Sequence, residues 1–291
     1  MNPLLKNPLL KNPLLVAFQG EAGAYSELAA LEYFPEPVQT LPCRSFDEVF
    51  ERVLKQECSH GIIPIENSLA GSIHRNYDLM LHHELHIVGE YHLRVNHCLL
   101  ALPGVKLEEV RIVHSHPQAL AQCEQNLNRL GVEIASEYDT AGSARLLRER
   151  ADRNAGALAS RRAAEVYGLQ ILAEAMEDNR QNFTRFLALS LTPYFRQPSD
   201  EREFKTSIVF SLENRPGALF KALGVFALRD IDLTKIESRP IPGSPWDYMF
   251  YIDFAGHIDE TNCRRALDNL QEITTFFRVL GSYPRHRMKF E

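Results

Sequence analysis

Short apolar runs, each followed by a longer segment of helical period, recur between Leu14 and Ser190. A short apolar run suits a strand buried on both faces, and the amphipathic segment after it suits a helix covering that strand. Leu14-Leu15-Val16-Ala17-Phe18 leads through Gln19 and Ser26 into a helix ending near Phe34. Ser45-Phe46-Asp47-Glu48 has capping-box spacing, and Val49, Phe50, Val53 and Leu54 continue it at helical period. Gly61-Ile62-Ile63-Pro64-Ile65 is a second buried strand, and residues 66–72 lead into a helix through His82. Strands over 86–94 and 96–102 follow. Residues 110–113 form another strand, and Ser115-His116-Pro117 opens a helix that Gly131 ends. Asp139 to Ser143 opens the next helix, 157–159 is a strand, and 160–167 is a helix stopped by Gly168. A strand over 182–190 closes the region. This alternation predicts α/β architecture with mainly parallel sheets.

The rhythm then changes. Residues 192–204 are rich in proline and charge and read as a linker. Beyond it come strand 205–213, helix 216–229, strand 232–239, strand 247–255, helix 259–273 and strand 276–283. That order, βαββαβ, is ferredoxin-like α+β. The predicted organisation is a disordered extension over 1–13, an α/β domain over 14–192 and a linker over 193–204. A smaller domain over 205–285 and a tail over 286–291 complete it. The extension repeats Asn-Pro-Leu-Leu three times, and its recurring prolines break any signal-peptide core.

Composition narrows the function. A net charge of −6 offers no general attraction to nucleic acid or acidic membranes, so an anionic ligand needs local donors. Five widely spaced cysteines suit a reducing compartment. No apolar run approaches the ~20 residues of a membrane span. Phosphate-loop and dinucleotide fingerprints are absent, as is a Gly-x-Ser-x-Gly elbow. His82, His83, His86 and His92 do not pair four apart on one helix, so no metal site is expected. Small or hydroxyl residues mark four strand-to-helix junctions, at 20–26, 68–72, 115–118 and 140–143. One such junction is ordinary capping; four in one domain favour a small carboxylate ligand.

Asn182-Phe183-Thr184-Arg185-Phe186 resembles the signature of prephenate dehydratases. Ile65-Glu66-Asn67-Ser68, Ser115-His116-Pro117-Gln118 with Gln122, and Asp139-Thr140 are similar to that family's other motifs, in the same order. Gly217-Ala218-Leu219 and Glu237-Ser238-Arg239-Pro240 resemble the phenylalanine-binding elements of its ACT regulatory domain. The resemblance spans residues 15–285. It implies two α/β lobes like a type II periplasmic binding protein, a cleft between them, and a homodimer or homotetramer. It also implies cofactor-free conversion of prephenate to phenylpyruvate, with feedback by L-phenylalanine. Thr184 takes the catalytic role, and Asn67, Ser68, Ser115, Gln122, Thr140, Arg185 and Phe186 the substrate contacts. Gly217, Ala218, Leu219, Glu237, Ser238 and Arg239 take the allosteric phenylalanine site. The location implied is the cytoplasm, or the plastid stroma for a plant chain. Arogenate dehydratase is the nearest alternative, and a non-catalytic amino-acid sensor the next; the intact Thr184 motif argues against the sensor.

Read without the resemblance, Thr184 is a β-branched strand residue, Arg239 a surface ion-pair partner and Gln122 a solvent-facing helix residue.

Overall fold

Leu14–Gln19 (β1) lies between two parallel neighbours, Val38–Cys43 (β2) and His60–Asn67 (β3). Its Val16, Ala17 and Phe18 are fully buried, as a strand covered on both faces requires. The computed structural model describes residues 13–35, 37–241 and 243–287. The readings for residues 1–12 and 288–291 lie outside that range.

The first sheet runs β2-β1-β3-β11-β5, with β11 Phe183–Ser190 and β5 His86–Arg94; Gly71–Ser72 (β4) pairs with β3. Tyr25–Tyr33 (α1) and Phe46–Leu54 (α2) belong to this lobe. Ser45 caps α2 as expected, its Oγ accepting the Glu48 amide at 3.2 Å. The Glu48 carboxylate departs from the capping-box pattern: it accepts from the Arg44 amide at 2.8 Å and from Arg52 at 2.9 Å.

The second sheet runs β10-β6-β9-β7-β8, with Gln170–Ala173 (β10), Cys98–Ala101 (β6), Ala155–Ala159 (β9), Ile112–Ser115 (β7) and Glu133–Ser136 (β8). It is mixed rather than mainly parallel, because β6 is antiparallel to both β9 and β10. Pro117–Gln122 (α4), Glu124–Leu130 (α5), Thr140–Arg150 (α6) and Arg161–Tyr167 (α7) accompany it. The single helix expected from Pro117 to Gly131 is two. Cys123 leaves helical geometry at φ −117°, ψ 13°. Asp178 stabilises the break: its amide donates to the Gln122 carbonyl at 2.8 Å, and its carboxylate accepts from the Gln125 amide at 3.0 Å. An acidic side chain at a helix start satisfies otherwise free amides.

Two compact units divide the chain. Among the described residues, one holds those up to Ile73 together with Tyr91–Phe186; the other holds His74–Glu90 and those from Leu187. This differs from the linear division at the Pro-rich linker. In the second unit Phe204–Ser211 (β12), Leu233–Ile241 (β13), Ser244–Ala255 (β14) and Phe276–Pro284 (β15) form an antiparallel sheet ordered β13-β14-β12-β15. That is the order βαββαβ connectivity gives. Ala218–Ala227 (α8) and Thr261–Ile273 (α9) bury Ala222, Phe226, Ala266 and Leu270 with Ile208, Phe210, Ile252 and Phe254 of the sheet.

His74–His82 (α3) and the start of β5 meet the same sheet. The Tyr251 hydroxyl donates to the Tyr77 carbonyl at 3.1 Å, and Arg278 donates to the Leu81 carbonyl at 3.2 Å. At Gly281 the backbones approach so closely that an added Cβ would stand 2.1 Å from the Ile87 carbonyl oxygen. Lys205 and Glu90 form a buried ion pair at 2.8 Å.

All five cysteines are free and buried. Burial raises the Cys58, Cys98 and Cys263 thiols to about 11, so they pack as small hydrophobes. Among the described residues no helix is long and apolar enough to cross a membrane.

Candidate active site

A cavity of about 260 Å³ opens in the first unit, between the ends of β3 and β11 and the starts of α1, α4 and α6. Thr184 and Phe186, two apart on β11, share the strand face toward it, and Asn67, Gln122 and Thr140 complete the set of expected residues that line it. The lining also includes Tyr25, Ser26, His97, His116, Gln118 and Asp139. No lysine or arginine is among the lining residues. A carboxylate here would meet amides, hydroxyls and helix starts rather than a full positive charge.

Asn67 organises the floor. Its Oδ1 accepts from the Leu69 and Ala70 amides at 3.0 and 2.9 Å, so its Nδ2 faces the other way. That Nδ2 donates to Thr184 Oγ1 at 3.0 Å and to Asn182 Oδ1 at 2.8 Å. Thr184 therefore receives a hydrogen bond from Asn67, and its own proton is available to the cavity. Asn182 Nδ2 donates to Gln122 Oε1 at 3.0 Å, and His97 Nε2 stands 3.1 Å from the same oxygen. The Tyr25 hydroxyl lies 2.9 Å from His97 Nδ1 and 2.8 Å from the Asn96 carbonyl.

Burial sets the protonation of this group. It lowers the His97 pKa, against smaller raising effects of Gln122 and Glu177. It lifts the Tyr25 phenol well above its ordinary value. It also raises Asp139, opposed by the hydrogen bond from the Gly142 amide that makes Asp139 the N-cap of α6.

Three expected substrate contacts stand elsewhere. Arg185 is buried and outside the cavity lining, because strand alternation turns it away from Thr184 and Phe186. Ser115 is fully buried and donates to the Leu158 carbonyl at 2.7 Å, a bond within the second sheet. Ser68 donates to the Gln181 carbonyl at 2.8 Å and accepts from the Phe183 amide at 2.9 Å, tying β11 to the Asn67 turn.

The loop before α1 is locked to α7. Gly23 has φ +90°, Ser160 Oγ donates to its carbonyl at 2.5 Å, and an added Cβ would stand 2.7 Å from Ala163 Cα. Gly23→Ala should lower stability by about 1–3 kcal/mol through overpacking and backbone strain. Urea denaturation checks this, and an unchanged midpoint contradicts it.

In the second unit Gly217 takes φ +78° as the N-cap of α8, and Ala218 and Leu219 line a cleft of about 100 Å³ with Arg215, Trp246 and Phe250. The other half of the expected regulatory set is outside that lining. Arg239 pairs with Asp78 at 2.9 Å, Glu237 stands 3.3 Å from His74 Nε2, and Ser238 is exposed.

With this geometry in place, comparison with known proteins is direct. The family model described as prephenate dehydratase matches residues 16–193, and that of the ACT domain matches 206–271. The chain is 51% identical to arogenate dehydratase/prephenate dehydratase 1, chloroplastic, of Arabidopsis thaliana over 283 residues, 92% of this chain and 71% of that protein. Among solved structures, prephenate dehydratase in complex with L-Phe from Arthrobacter aurescens aligns with a TM-score of 0.85 and 32% identity, covering 94% of this chain and 90% of that one. GqqA, described as a novel type of quorum quenching acylase, aligns with a TM-score of 0.87 and 39% identity, covering 94% and 98%. A family match over more than half of the residues, with relatives this similar along 92% of them, leaves one assignment: the chain belongs to the prephenate dehydratase family.

Proposed function

We propose that this dehydratase removes water and carbon dioxide from prephenate to give phenylpyruvate. The observation that carries the reading is the Thr184 hydroxyl, which faces the cavity while Asn67 occupies its acceptor side. In the reaction the bond from ring C1 to its carboxylate breaks, and its electron pair becomes a ring π bond. The C4–oxygen bond breaks, and its pair leaves on hydroxide, which takes a proton from solvent. Aromatisation drives both cleavages, so no electron sink is required. Thr184 donates a hydrogen bond to the departing oxygen, where charge develops. Amides and hydroxyls around the cavity hold the two carboxylates.

Arogenate, which carries an ammonium group where prephenate has a ketone, is the second substrate. Asp139 favours it, because that carboxylate lines the cavity and suits a cation. The Arabidopsis relative is named for both activities. Amide hydrolysis is a poorer fit: it needs a nucleophile hydrogen-bonded to a base, whereas Thr184 is held by an amide donor.

L-phenylalanine is the proposed effector, bound beside Ala218 and Leu219 in a homodimer or homotetramer; the Arthrobacter relative was solved with L-Phe. The proposed location is the cytoplasm, or the stroma if the source is a plant.

Steady-state kinetics on prephenate and arogenate, run separately after EDTA treatment and dialysis, test the reading. Turnover of prephenate with the higher kcat/KM is expected. Turnover of arogenate alone overturns the substrate preference, and activity restored only by an added metal ion overturns the cofactor-free mechanism.

A further inference from the structure

The amides beside Thr184 form a line whose direction is set by the backbone at one end. The Leu69 and Ala70 N–H groups can only donate, so Asn67 must present Oδ1 to them and Nδ2 to its other neighbours. Asn182 must then turn Oδ1 toward Asn67 and Nδ2 toward Gln122. Gln122 must meet that donor with Oε1, the same atom that lies 3.1 Å from His97 Nε2. An oxygen there requires a proton on Nε2. In the neutral ring Nδ1 is then bare, and the Tyr25 hydroxyl, 2.9 Å from it and 2.8 Å from the Asn96 carbonyl, has one proton to share between these two acceptors. From Asn67 to His97 Nε2, each orientation follows from the one before it.

We infer that Tyr25, His97, Gln122, Asn182 and Asn67 act as one line of positioning residues that keeps the Thr184 proton turned to the cavity, with His97 as the neutral Nε2–H tautomer. Both the ring and the backbone of His97 are held. Tyr25 meets the ring edge-on at 5.4 Å between centroids, and Glu177 accepts from the His97 backbone amide at 2.9 Å. The environment agrees, since burial disfavours the charged ring. The inference rests on the dehydratase reading for its kinetic consequence only; the proton on Nε2 follows from the geometry alone.

The test uses the full chain, labelled with ¹⁵N on histidine, at neutral pH. Ring ¹⁵N shifts distinguish protonated from bare nitrogens, and the His97 signals are assigned by their loss in His97→Gln. The expected ring is protonated at Nε2 and bare at Nδ1. In parallel, His97→Phe removes the donor to Gln122, whereas His97→Gln places an amide nitrogen near the Nε2 position. We expect His97→Phe to lower kcat roughly fivefold to tenfold with KM nearly unchanged, about the effect of one net hydrogen bond, and His97→Gln to recover most of that loss. A neutral ring protonated at Nδ1 overturns the inference whether or not His97→Phe folds. So does unchanged kcat in a folded His97→Phe protein. If the unsubstituted protein turns over neither prephenate nor arogenate, the dehydratase reading falls, and the ring spectrum still decides the line.

Discussion

Thr184→Val should lower kcat by at least about a hundredfold with little change in KM, the low end for assistance to a leaving group. Valine keeps the branched shape that β11 packs and deletes only the hydroxyl. That hydroxyl accepts from Asn67 at 3.0 Å, which leaves its proton for the substrate. A bond formed chiefly as the C4–oxygen bond breaks stabilises the transition state more than the bound substrate, so the loss falls on kcat. A hundredfold corresponds to about 2.7 kcal/mol. Thr184→Ser keeps the donor and frees the rotamer, so it should fall between valine and wild type. Because Thr184 is buried, thermal unfolding of each variant separates a chemical loss from a packing loss. A folded valine variant with wild-type turnover reduces Thr184 to a strand residue.

Lys205→Met should destabilise the protein by about 3–5 kcal/mol, the usual effect of removing one partner from a buried ion pair. The Lys205 side chain is 7% exposed and that of Glu90 is fully buried, with 2.8 Å between Nζ and Oε2. Glu90 also accepts from the His286 amide at 3.1 Å, which does not replace a cation. The double variant Lys205→Met/Glu90→Leu removes both charges of the pair and should recover much of the loss. Equilibrium unfolding of wild type and both variants measures this, and a Lys205→Met protein as stable as wild type contradicts it. The pair joins β5 to the first strand of the ACT sheet, so cutting the chain at residue 205 would break this buried ion pair as well as removing the ACT domain. Substitutions at Ala218 or Leu219 test the proposed L-phenylalanine site while leaving this ion pair in place.

Elements whose burial is uniform are legible in the sequence. Strands β9 and β12 are buried throughout and β1 through Val16, Ala17 and Phe18, and β1 and β9 read as continuous apolar runs. Strand β2 is not legible: it is half exposed, pairs only with β1 in its sheet, and carries Pro42, which argues against a strand by local rules. Strands β8 and β10 are four residues each and lie at opposite edges of their sheet, too short to show a period. The break at Cys123 depends on Asp178, more than 50 residues away, so no local pattern signals it.

The site divides in the same way. Thr184, Asn67, Gln122, Thr140 and Phe186 converge on one cavity, as their motifs imply. Ser115 and Arg185 share those motifs but point into the protein, a distinction of strand phase that a motif does not carry. Tyr25 falls within a junction the sequence marks, and Asn182 within the signature itself. His97 has no local signal. Its partners Tyr25 and Gln122 lie 72 and 25 residues away, and only the fold assembles them.

The most direct measurement follows prephenate labelled with ¹³C at the ring carboxylate, by ¹³C NMR, with the purified full chain, with Thr184→Val and with buffer alone. The label should appear as carbon dioxide and bicarbonate, one equivalent for each phenylpyruvate formed, with the full chain at least about a hundred times faster than Thr184→Val. Label retained in the ring compound, or released no faster with the full chain than in buffer, would contradict the assignment of a decarboxylating dehydration of prephenate to this cavity.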